Sequence, residues 1–290
     1  MVRNIILIFL CLGSMALHAQ AQPAAYALAD EYNLWGKSVG DEAHVFADIA
    51  YIRDSPTLNG KVLDSLTVGT PVTIRSVGYN EMLIKDFYAP WHKVEYSANG
   101  KLKQGFIWLG LIALKENRDK DGQLWLYGFN KYPNRSKDED YLKLCEIKIL
   151  NTENQCIGKT SFLVTLNEQS FTDAKVLGNM GLEGLKSIYR IAFIGEACAV
   201  PSDYYYLGWT GSDFIRLPGK STVSDAGVNY YEEKLLFPSE HQLGPNLIIR
   251  DAIQGEVIDE NAEELKYKET KTREKFIWDG KEAKQLLILK

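Results

Sequence analysis

The sequence predicts an all-β protein: a small barrel, then a larger antiparallel β domain, either a sandwich or an incomplete propeller. Three observations carry this. Short runs of alternating apolar and polar residues recur along the chain. Gly, Pro and Asn separate these runs at close spacing. Helical spacing of apolar residues is scarce, and the piece from 174 to 185 offers at most one helical turn.

The barrel is expected over residues 44–114. Ala50-Tyr51-Ile52-Arg53 alternates and breaks at Ser55-Pro56. Val62-Leu63-Asp64-Ser65-Leu66 alternates again and stops before Gly69. Val72-Thr73-Ile74 is β-branched, a composition that suits a pleated, half-buried surface. Trp91-His92-Lys93-Val94 makes a further short strand, Asn99-Gly100 turns the chain, and Gly105-Phe106-Ile107-Trp108 returns.

These residues resemble the bacterial SH3 (SH3b) domain of secreted and cell-wall proteins. The family reads as an apolar-N-V-R start, a Pro turn, V-I-x-x-L, a Gly before a V-x-V strand, W-x-K-V, a Gly turn and G-W-V. Tyr51 stands for the usual Asn and Phe106 for the usual Trp. The resemblance implies a small recognition barrel for a peptide or glycan. Farther on, residues 195–198, 223–227 and 237–240 resemble a pattern that follows SH3b modules in secreted proteins of Bacteroidetes-like bacteria.

The chain of 290 residues has room for two modest domains, and its 46% apolar and 24% charged composition is that of a globular protein. Residues 1–21 read as a signal peptide: Arg3, an apolar run from Ile5 to Leu12, and the small-x-small site Ala19-Gln20-Ala21. That run is too short to span a bilayer, which takes about 20 apolar residues. A periplasmic or secreted location follows, with residues 22–43 as an N-terminal tail. The net charge of −5 becomes more negative once Arg3 is removed. Nucleic acid and anionic membrane surfaces are therefore poor partners, because both require clustered Lys and Arg. Peptidoglycan, another glycan or an envelope protein remain, and no cofactor is implied.

Residues 115–123 (Lys-Glu-Asn-Arg-Asp-Lys-Asp-Gly-Gln) read as a polar linker to a C-terminal domain at 124–290. The first six residues from Asn117 imitate a calcium loop, but Gly128 stands where the bidentate Glu belongs. Strands are expected at 124–129, 141–150, 160–166, 188–194, 204–209, 234–237, 247–253, 265–270 and 275–278. Tyr206-Leu207-Gly208-Trp209-Thr210-Gly211 and Lys275-Phe276-Ile277-Trp278-Asp279-Gly280 echo each other, as two hairpins with a Trp at the base would.

The candidate ligand groove comprises Tyr51, Arg53, Tyr79, Trp91 and Trp108, and Tyr205 is a further candidate. Aromatics offer large rigid area to sugar faces and peptide backbones. Trp91 and Ile107 also fit a core role, with Trp108 left on the outer face. Cys145 and Cys156 flank the turn-like stretch 151–154, so they could form a disulfide across a hairpin or remain buried thiols. Glu196 follows an apolar strand and reads as partly buried. A cysteine peptidase would need Cys198 paired with His241. However, no His, Lys or Arg stands near Cys198 in sequence to stabilise its thiolate. No Gly-x-Ser-x-Gly and no zinc-ligand spacing occurs. A non-enzymatic binding or scaffolding protein is the leading expectation. An accessory or degenerate wall hydrolase, or an inhibitor or partner of an envelope protein, is the alternative.

Overall fold

The computed structural model describes residues 34–133, 141–166, 168–259 and 264–286. The expected leader and the acidic run Asp138-Glu139-Asp140 lie outside them. The described chain is nearly all β, in three antiparallel sheets. Among the described residues no helix is long and apolar enough to cross a membrane.

The first sheet holds β1 (Glu42–His44), β2 (Ile49–Arg53), β3 (Val62–Thr67), β4 (Pro71–Ile74), β5 (Tyr79–Ile84), β6 (Phe87–Ala98) and β7 (Lys101–Trp108), in the order β1-β4-β6-β7-β2-β3 with β5 on β6. Alternation decides its faces: Ala50, Ile52, Val72 and Ile74 point inward and are buried. β1 and β3 end the path and do not pair, so the expected barrel is not closed. The chain after β1 turns instead to residues 109–114: Val45 bridges Ile112, and Ala113 N–H donates to His44 O at 3.0 Å.

The second sheet holds β8 (Lys115–Arg118), β9 (Leu124–Asn130), β10 (Leu142–Leu150) and β11 (Cys156–Thr165), in the order β11-β10-β9-β8. Residues 115–123 are therefore a strand and a tight turn, not the linker the sequence suggested. Their polar residues shape the turn. Asp119 Oδ1 accepts from the N–H groups of Asp121 and Gln123, and Oδ2 accepts from Trp125 Nε1 at 3.0 Å. With both carboxylate oxygens engaged, the calcium-loop imitation is an Asx-type turn.

The third sheet is a meander of β12 (Phe171–Leu177), β13 (Ser187–Ile194), β14 (Ser202–Trp209), β15 (Phe214–Asp225), β16 (Asn229–Leu236), β17 (Leu247–Val257), β18 (Tyr267–Trp278) and β19 (Ala283–Gln285). The one helical turn expected within 174–185 is absent. β12 occupies its start, because Thr172, Ala174 and Val176 line up against β13. The two strands expected within 265–278 are one long β18. A short helix, α1 (Pro238–His241), sits between β16 and β17. Trp209 and Trp278 both end a strand at a hairpin turn and are buried, as their sequence echo implied.

β9 explains how the sheets join. It is apolar without alternation and buried on both faces, as a central strand must be. On one face Trp125 lies 5.1 Å from Tyr189, and Phe129 stacks on Phe193 at 6.0 Å, which closes a sandwich with the third sheet. Phe129 also meets Trp35 at 6.0 Å and Phe87 at 5.9 Å, on the first sheet's side. One core therefore runs from Leu34 to Trp209 across all three sheets. An ion cluster, buried at Lys148 and Glu146 and open to solvent at Asp48, reinforces the joint. Lys148 Nζ on β10 donates to Phe46 O at 2.9 Å and Asp48 Oδ1 at 2.6 Å, and lies 3.4 Å from Glu146 Oε1. The hydrogen bond from Lys148 holds the Asp48 carboxyl below its ordinary range.

The suggested Cys145–Cys156 disulfide does not form. The hairpin register sets Cys145 opposite Phe162 and Cys156 opposite Leu150. The two thiols are therefore about 17 Å apart along the strand, far beyond the reach of a disulfide. Cys145 is a buried free thiol, with its pKa pushed up by burial, and Cys156 is exposed.

Candidate binding surface

β2 sorts its residues by parity: Ala50 and Ile52 go to the core, Tyr51 and Arg53 to the outer face. Tyr51 is half exposed. Arg53 pairs in register with Phe106 on β7, so the guanidinium and the ring share one face. Gly105 permits this approach, because a Cβ there would strike Ile52 Cγ2 and Arg53 O. Arg53 Nη1 donates to Gly60 O at 2.7 Å, which fixes the arginine and closes the loop after β2. Tyr79 sets its edge against Phe106 at 5.9 Å and 87°. Its neighbour Asn80, at a φ of 44°, donates from Nδ2 to Pro56 O at 3.1 Å. Exposed Tyr51 and partly buried Arg53, Phe106 and Tyr79 thus lie together on paired strands of the first sheet, with Phe106 also packed against the core. Lys93 stands beside Phe106 in register.

Three other sequence candidates do not join it. Trp91 and Trp108 pair with each other across β6 and β7 and are 2% and 1% exposed. Phe87, 5.0 Å from Trp108, and Trp35, stacked on Phe87 at 6.0 Å, cover this end of the face. Trp108 Nε1 is satisfied by Ala89 O at 2.8 Å. Tyr205 lies far along the chain in the seam of the sandwich, tilted on Phe162 at 5.4 Å and edge-on to Phe193 at 6.1 Å. Burial pushes its hydroxyl up to about 12. Phe106 was not among the candidates, although its place where the resembled SH3b pattern carries a Trp was the signal that could have found it.

Glu196 is exposed, not partly buried: it lies in the loop after β13 and accepts from Ser170 Oγ at 2.7 Å. Cys198 is exposed in that same loop. His241 sits on α1 with both ring nitrogens engaged. Nδ1 accepts from Leu243 N–H at 2.9 Å, so Nε2 carries the proton and donates to Leu247 O at 2.7 Å. His92 is buried, hydrogen-bonds Ser76 O through Nδ1 at 2.9 Å, and has its pKa lowered by burial. Among the described residues no group of three or more His, Cys, Asp or Glu is placed to hold a metal. Comparison with protein-family models, curated proteins and solved structures finds no match to this chain.

Proposed function

We propose that this is an exported, non-enzymatic binding or scaffolding protein of the cell envelope, which recognises a peptide or glycan through the face formed by Tyr51, Arg53, Tyr79 and Phe106. The observation that carries the reading is the state of Arg53. Its guanidinium is anchored to Gly60 O, and the residue pairs in register with Phe106, on strands whose other faces are core. A donor fork among rigid rings costs little ordering on binding. Export rests on the apolar run and the Ala19-Gln20-Ala21 site, and the envelope assignment on the SH3b resemblance of residues 44–114.

The hydrolase alternative asks His241 to activate Cys198. Its imidazole is already hydrogen-bonded at both nitrogens to the backbone at Leu243 and Leu247, which argues against its service as the general base that a thiol nucleophile requires. The test is co-sedimentation of the mature protein with purified peptidoglycan. The reading expects saturable sedimentation with the sacculi intact. Failure to sediment, or release of soluble wall fragments, would count against it.

A further inference from the structure

A second groove, of about 660 Å³, lies on the third sheet, away from the face just described. Six of the residues lining it matter here: Glu196, Cys198, Thr222, Ser224, Tyr230 and Glu232. Thr222 pairs with Glu232 and Ser224 with Tyr230 across the β15–β16 hairpin, so these four side chains share one face. The 195–200 loop walls the groove. We infer that this groove is a binding site for a neutral or cationic sugar chain.

The aromatic plate is the first support. The Tyr230 ring lies flat across β17, over Gly255, where a Cβ would collide with it. Tyr230 Oη donates to Glu269 Oε1 on β18 at 2.8 Å, and the Tyr267 ring stands against it at 5.2 Å and 70°. The ring is thus fixed at its base, its tip and one edge. It is only half-buried and lines the groove. A flat, immobilised ring matches the C–H face of a pyranose.

The polar lining is the second support. Carboxylates accept from vicinal hydroxyls, and Thr222 and Ser224 both donate and accept. Among the described lining residues there is no lysine or arginine to offset Glu196 and Glu232. An anionic sugar is therefore disfavoured, and an amino sugar is favoured.

The backbone argues against a peptide. Peptides commonly dock by adding a strand to a free sheet edge. β14 begins at Ser202, opposite Thr222, and the edge of β15 beyond that pair is taken at Ser224, because Ala199 N–H donates to Ser224 O at 2.9 Å. Ala199 holds a φ of 62° to do so, an unfavourable conformation for a residue with a Cβ.

The cysteines supply a test in the intact protein. Cys198 lines the groove, Cys156 is exposed on β11 of the second sheet, and Cys145 is buried. Maleimide labelling of Cys198 is followed by peptide mass analysis, with Cys156 as the internal control. The probes are chitohexaose (neutral), its fully deacetylated counterpart (cationic) and oligogalacturonate (anionic). The inference expects the first two to slow labelling of Cys198 at least fivefold, with Cys156 and the anionic probe unaffected. Tyr230→Ala is expected to abolish the protection and Tyr230→Phe, which keeps the plate, to retain most of it. A double Tyr51→Ala/Arg53→Ala variant is expected to keep it whole, so this site stands or falls apart from the first face. No protection by either of the first two probes would overturn the inference. So would equal slowing of Cys156, or protection that survives Tyr230→Ala.

Discussion

Lys148→Met breaks the joint between the first and second sheets, and its cost can be worked from the contacts. The Lys148 and Glu146 side chains are 3% and 4% exposed, so both charges are buried. Removing the ammonium strands the Phe46 carbonyl. It also leaves Glu146 with Lys159, a 46% exposed side chain, at 3.1 Å. Breaking a buried pair by removing one partner costs about 3–5 kcal/mol. In a chain of this size each kcal/mol moves Tm by about 2–4 °C, so a drop of roughly 10 °C is expected by differential scanning calorimetry. The double variant Lys148→Met/Glu146→Leu removes both charges and should regain a large part of the loss. The lowered Asp48 pKa adds a pH signature. Its contribution is present above the unfolded value near 3.8 and is lost as pH falls through the lower folded value. In Lys148→Met that part of the acid dependence should vanish. A Tm within about 2 °C of the parent, or two separate transitions for residues 44–114 and 124–286 in the parent, would refute the joint.

Trp108→Ala should cost about 3–5 kcal/mol in urea unfolding, as emptying a packed tryptophan site does, whereas Tyr51→Ala on the open face should change stability by less than about 0.5 kcal/mol. Cys156 and Cys198 should label with iodoacetamide in the folded protein and Cys145 only on unfolding, and intact mass under oxidising conditions should show no internal disulfide. His92 has a lowered folded pKa, so its share of stability is full above about 6.5 and is lost as pH falls from there towards the folded value. Urea midpoints of the parent and His92→Gln should therefore converge as pH drops below 6.

Alternation made the strands of the first sheet legible, because each shows one wet face and one dry face. It could not show where a wet face becomes buried. Trp108 has the parity of Phe106, yet Phe87 covers it and Trp35 stacks on Phe87, contacts that cross 21 and 52 residues of sequence. The polar run at 115–123 misled for a related reason. Asp119, Asp121 and Gln123 are as typical of a tight hairpin turn as of a hinge, and only the pairing of β8 with β9 separates the two. Lys148 and Glu146 read as the polar side of a β-strand, and nothing local announces the partners at Phe46 and Asp48. In the surface face, Tyr51 and Arg53 were legible as an i, i+2 pair. Phe106 and the anchor from Arg53 to Gly60 required the register of β2 on β7.

The most direct test of the binding account is a peptidoglycan binding isotherm for the mature protein beside its Tyr51→Ala/Arg53→Ala variant, with both confirmed folded by their melting curves. The account predicts saturable binding by the parent and a loss of at least tenfold in the variant at unchanged Tm. Equal isotherms for the two proteins would contradict it.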